Sequence, residues 1–451
     1  MKAAQSDLWH RALAEVRGLF TLAAPLVAGL VLSTSTMLVD TAMLGPLGAL
    51  PLAAVSLTTN VVIIFYAALY GFAGPVGLFA GRAFGAGDGA AIGEVARHGL
   101  LLALVGGTCG ALLMSAVVPI LQHLGQPPEV LAVLTPYWYL IAASLVPFTV
   151  AMAAKNLLDA TGRPWISVAL TAVPVAANVL LNYMLIQGRW GAPALGLVGA
   201  GVASLLGQTV GALVIWVYAR WAPGQSDWWV PGRWSLQALL KQAREGLPMT
   251  VQYFLEGAAV AVAGLMIGLF GAVAMAGNQI ALSVGSTLYM LPLGMAAAVS
   301  IRVSQAIGAD EPGRVGPIGW AGLGVVSAWM GLSALLYWTA GQHIAAAFID
   351  DAAVVAAAAS VLFVFGWMQL MDGVQSVSLG ALRGMLDNDW PTRVSLIAYW
   401  LIALPLAAAL GLGLGWGAPG VWAGFGAGLA FASVALVRRF LHSNRALLRS
   451  V

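Results

Sequence analysis

Asp40, Glu256 and Asp372 are carboxylates set deep in apolar sequence. A carboxylate in that setting can bind a cation, carry a proton or hold a neighbouring helix by a hydrogen bond. The rest of the 17 acidic residues fall in polar stretches or at the ends of apolar runs. An ionisable group at the centre of a membrane helix costs about 2.5–3.5 kcal/mol on insertion scales, so three of them demand a compensating role. Helical spacing gives each one polar company. Ser33, Thr36 and Asp40 share a face at steps of three and four, Gln252 and Glu256 share another with Tyr253 beside them, Met368, Asp372 and Gln375 a third, and Asn178 and Asn182 stand four apart. Lipid would penalise such stripes, so they are expected to face a cavity.

Other chemistries find no support. None of Lys2, Lys155 and Lys241 is followed by Ser or Thr, which excludes a Walker A phosphate loop and direct use of ATP. His10, His98, His123, His343 and His442 are scattered, which leaves no metal-ligand cluster, and no Ser/His/Asp arrangement or cofactor motif is present. The single cysteine, Cys109, permits no intrachain disulfide. No catalytic residue is assigned, and the reading is of a protein that is not an enzyme.

The elements that must position these residues follow from composition. The chain has 451 residues, 61% of them hydrophobic and only 8% charged, with a mean hydropathy of +0.90. No charged residue lies between Asp40 and Arg82, between Glu256 and Arg302, or between Arg393 and Arg438, and each gap fits two membrane helices and a tight turn. The pattern predicts an all-α integral membrane protein of twelve helices, with a retained first helix in place of a cleaved leader. With both termini in the cytoplasm, every Lys and Arg except Arg189 falls on the cytoplasmic side. The net charge of +3 is thus read as topology, with the lipid bilayer as partner, no nucleic acid and no obligatory protein partner.

The two halves resemble each other. Residues 43–85 lie over 266–308 without a gap at a shift of 223, with Met43/Met266, Gly45/Gly268, Gly48/Gly271, Tyr66/Tyr289, Gly71/Gly294 and Gly85/Gly308 among the identities; Pro164/Pro391 and Gly196/Gly420 continue the relation. Two pseudo-symmetric six-helix bundles are expected: a cytoplasmic N-terminus at 1–18, a first bundle at 19–219, a linker at 220–246, a second bundle at 247–440 and a tail at 441–451. An even number of helices per half makes this a parallel repeat, and two like halves around a central cleft are the architecture that alternating access requires. The repeat sets Asp40 against Ala263 and Glu256 against Ser33, so the fold itself does not require the acids.

APLVAGLVLSTSTMLVDTAMLG, NVLLNYMLIQG, GLPMTVQYFLEG, AGNQIALSVGSTLYMLPLGMAAAVSIRVSQAIGA and MDGVQSVSLGALRG together resemble the multidrug and toxic compound extrusion (MATE) family in its NorM-like branch. The resemblance implies secondary active efflux of amphipathic, mostly cationic drugs and dyes, driven by Na+ or proton entry across a bacterial inner membrane. It carries the family's functional acids onto Asp40, Glu256 and Asp372 and its helix asparagine onto Asn178; Asn182 stands where a neighbouring branch has Asp. Thr36, Asn182, Gln252, Tyr253, Gln279, Tyr289, Met368 and Gln375 are the further candidates for ion or substrate contact.

The expected mechanism has a cation displacing a cationic drug from the same carboxylates, with the halves then rocking between two states. Either ion suits the residues. Burial disfavours the charged form of a carboxyl, which suits proton exchange, while the oxygens of Asp40, Asn178, Glu256 and Asp372 suit Na+. The alternatives are a flippase for an isoprenoid-linked precursor, which would want basic groups in the cavity, and an exporter of another small metabolite.

Overall fold

The computed structural model describes residues 2–123, 128–221 and 234–449, without the side chains at 2–9, 35–39, 41, 42, 49 and 122. Twelve helices are long and apolar enough to cross a membrane, and no strand occurs among the described residues. They are α1 (Lys2–Leu44), α2 (Ala49–Gly85), α3 (Gly89–Ser115), α4 (Pro128–Ala160), α5 (Pro164–Gln187), α6 (Gly196–Trp221), α7 (Leu236–Gly268), α8 (Ala272–Gly308), α9 (Val315–Ala346), α10 (Ala352–Gly384), α11 (Asp389–Gly413) and α12 (Gly417–Arg449). Apolar runs of this length can bury their backbone polar groups only by bonding them within the helix.

The turns repeat as the sequence does. Gly48, between α1 and α2, has φ 99°, and Gly271, its counterpart between α7 and α8, has φ 92°. Both values lie where only glycine is at ease, so the shared glycine is the residue each turn requires.

The chain packs as two compact units, residues 28–254 and residues 1–27 with 255–451. These do not follow the bundle limits expected at 19–219 and 247–440. The first helix extends back through the expected N-terminal segment because nothing from Lys2 to Gly18 breaks it. Its early turns are held by Glu15, which accepts from Arg302 and, at 2.8 Å, from Arg314 Nε. The second change of unit falls inside α7, between Phe254 and Leu255. Of the expected linker, 222–233 lies outside the described residues, and Leu236 onward is already α7. The expected tail is helical to Arg449 as part of α12.

In the 28–254 unit the core gathers Val62, Leu69, Met114, Leu134, Trp138 and Leu145. Trp138 Nε1 satisfies itself on Met114 O at 2.8 Å, and α3 approaches α4 so closely that a Cβ at Gly107 would stand 2.8 Å from Val146 Cα. In the other unit Ala259, Ile267, Phe365, Met368, Tyr399, Trp422 and Phe425 form the core, and Trp422 Nε1 donates to Asn278 Oδ1 at 2.7 Å. The helix α11 is not regular. It turns π-helical at Leu396–Ala403 and again at Ala408–Gly413, on either side of Pro405, which has no N–H to donate.

Candidate functional sites

Each unit holds a carboxylate network of its own. In the 28–254 unit, Asn182 Nδ2 on α5 donates to Asp40 Oδ1 on α1 at 2.5 Å and to Asn178 Oδ1, one turn earlier, at 3.0 Å. Asn178 Nδ2 then reaches Ser204 Oγ on α6 at 3.4 Å. The spacing of four puts both amides on one face of α5, and both are buried. Asn182 Oδ1 is buried without a hydrogen-bond partner among the described residues, so an acceptor stands unsatisfied beside a carboxylate. Tyr66 of α2, hydrogen-bonded to Ser144, and Tyr137 of α4 lie within electrostatic reach of Asp40. Oxygen acceptors around one carboxylate can hold a small hard cation.

In the other unit two carboxylates share a network. Tyr289 Oη on α8 donates to Asp372 Oδ1 on α10 at 3.0 Å and is bonded to Ser376 Oγ, one turn along from Asp372. Glu256 on α7 is hydrogen-bonded to the Tyr399 hydroxyl on α11, and Gln375 Nε2 donates to that hydroxyl at 3.0 Å. Gln375 Oε1 is buried without a partner among the described residues. Glu256 and Asp372 lie within electrostatic reach of one another, and Arg383 reaches Glu256. Two like charges in a low-dielectric surrounding favour any cation that enters between them.

The structure thus brings together Asp40, Asn178 and Asn182 as one group, and Glu256, Asp372, Tyr289 and Gln375 as another. Four other candidates have different surroundings. Gln252 and Tyr253 share a helix with Glu256 but pack in the 28–254 unit, where the Tyr253 ring meets Tyr70 edge-on at 5.7 Å. Met368 is 7% exposed and belongs to the hydrophobic core, because its thioether fits among Phe365, Trp422 and Phe425. Gln279 is exposed, and its main-chain oxygen accepts from Ser283. The side chain of Thr36 lies outside the described residues.

Spacing overlooked Tyr399, Ser376, Ser204 and Arg383. Ser376 stood four residues after Asp372 and was readable. Tyr399 was not, since it sits in a π-helical stretch where an α-helical period does not apply. Arg383, in the last turn of α10, lies within electrostatic reach of Glu256. Among the described residues no group of three or more His, Cys, Asp or Glu gathers in one place.

The sequence model of the MatE family matches residues 25–184 and 248–409. The chain is 31% identical over 439 residues to the probable multidrug resistance protein NorM of Pseudomonas aeruginosa, covering 95% of this chain and 89% of that one. It is 33% identical over 420 residues to the protein of the same name from Rhizobium meliloti, covering 90% and 89%. Among solved structures the fold is similar to the eukaryotic MATE transporter AtDTX14, with a TM-score of 0.87 at 20% identity over 97% of this chain and 99% of that one. It is also similar to the Vibrio cholerae MATE transporter VcmN in its bent form, with a TM-score of 0.85 at 20% identity over 97% and 99%.

Proposed function

Because this chain belongs to the MatE family, we propose that it is a multidrug efflux antiporter that exports amphipathic organic cations in exchange for Na+ or protons. The observation that carries the reading is the pair of networks, each with a carboxylate and a buried amide oxygen left without a partner among the described residues. A carboxylate inside a membrane protein is costly, and binding a cation or a proton offsets that cost. The names of the relatives, which are multidrug resistance proteins, support the substrate class.

Asp40, with Asn178 and Asn182, is the cation site of the 28–254 unit. Glu256 and Asp372, steadied by Tyr289, Ser376, Gln375 and Tyr399, recognise the positive charge of the drug or of its counter-ion. Exchange requires that cation and drug compete: a drug bound at the carboxylates leaves when the ion arrives, the ion-loaded protein changes the side it presents, and a new drug molecule binding there releases the ion. The protein then works as a multi-pass protein of a bacterial inner membrane, with both termini in the cytoplasm, as the distribution of Lys and Arg supports. A flippase for a pyrophosphate-linked lipid would need basic charge without an opposing acid, and Arg383 is opposed by Glu256.

The test is drug efflux from reconstituted vesicles under imposed Na+ or proton gradients, with Asp40→Asn, Glu256→Gln and Asp372→Asn in parallel. Each neutral variant is expected to lose about tenfold or more in efflux rate. Parent rates in all three would end the carboxylate mechanism.

A further inference from the structure

A polar path leads away from Asp40 within the 28–254 unit. Gly29, Ser33 and Asp40 share one face of α1, and Ser167, Thr171, Asn178 and Asn182 share one face of α5. The two faces meet at the Asp40–Asn182 hydrogen bond. Gly29 lies about 16 Å from Asp40 along the helix at 1.5 Å per residue. There, a Cβ on Gly29 would stand 3.8 Å from Lys155 Cε and 3.6 Å from a methyl of Val168, next to Ser167.

Lys155 Nζ is 2.6 Å from Asp159 Oδ2, one turn further along α4. Asp159 is 2% exposed, yet its Oδ1 has no hydrogen-bond partner among the described residues, and the same is true of Ser167 Oγ, which is fully buried. A buried ion pair present only for packing is stable when the remaining lone pairs are satisfied, and here one oxygen is not.

We propose that Lys155 and Asp159 form a second cation station, through which the coupling ion, Na+ or a proton, passes between Asp40 and the membrane face that carries the basic loops. The proposal rests on the reading of Asp40 as an ion site. Asp159 Oδ1 receives the cation, and the Lys155 ammonium, a cation tethered to the chain, reclaims the carboxylate when the ion leaves. The station therefore resets without a counter-ion from outside.

The test uses the full chain in proteoliposomes, with ethidium efflux followed under an inward Na+ gradient and, separately, an inward proton gradient. Two variants are compared: Asp159→Asn, and the double variant Lys155→Met/Asp159→Leu. The second replaces the buried pair by apolar side chains of similar size, an exchange that buried ion pairs often tolerate in stability. Both are expected to slow efflux about tenfold, while the equilibrium dissociation constant for ethidium stays within about twofold. If the double variant exports at the parent rate, the pair is structural and the proposal is overturned. Asp40→Asn separates the two readings. If it is inactive and the Asp159 variants are not, only the station fails; if it too exports at the parent rate, the ion site at Asp40 fails with it.

Discussion

Tyr289 holds the network around Asp372 together, since one hydroxyl serves both the carboxylate and Ser376. Tyr289→Phe removes that donor without changing the ring. A hydrogen bond between membrane helices is worth about 0.6–2 kcal/mol, so cation recognition should weaken about 3- to 30-fold. The concentration dependence of dye export measures this, and an unchanged half-saturation would show that Tyr289 only packs. Asn182→Leu should act in the same way at Asp40, weakening the effect of the driving ion rather than dye binding, as read from efflux at stepped Na+ and proton concentrations. The sequence reveals these residues through spacing: Asn178 and Asn182 stand four apart, and Gln375 follows Asp372 by three. Met368 has the same spacing and yet turns into the core, because period finds a face of a helix and not the depth at which each side chain on it ends.

At the scale of elements, α11 departs most from expectation. Its apolar run is plain in the sequence, but the change to π-helical bonding around Pro405 is not, and that change places Tyr399 against Glu256 and Gln375. Pro405→Ala restores a backbone donor. It is expected to leave stability unchanged or raised while lowering transport, as the regular helix carries Tyr399 off its partners. A thermal melt beside an efflux assay checks this. The turn glycines make the opposite case, legible because the repeat aligns Gly48 with Gly271. A Cβ at Gly271 would meet nothing within 4 Å, so Gly271→Ala isolates backbone strain at φ 92° and should cost about 1–3 kcal/mol in unfolding free energy.

At the scale of the whole molecule, the sequence shows twelve helices and a duplication because hydrophobic length and charge spacing are local properties. The limits of the packing units are not local. They fall within α1 and within α7, where no change of composition marks them. Glu15 ties the early part of α1 to Arg302 and to Arg314, and its carboxylate is largely buried. Glu15→Gln takes the carboxylate partner from Arg302, while Arg314 keeps Glu311, and is expected to lower stability by about 1–3 kcal/mol, seen as a fall in the melting temperature of the purified protein.

The central claim is that drug and ion move in exchange. The most direct measurement loads vesicles containing the unmodified chain with dye, at equal ion concentrations inside and out, and follows ion and dye together. The account predicts that dye leaving down its own gradient drives Na+ or protons the opposite way, uphill, and that Asp40→Asn abolishes this counterflow. Dye efflux with no ion moving against it would contradict the account.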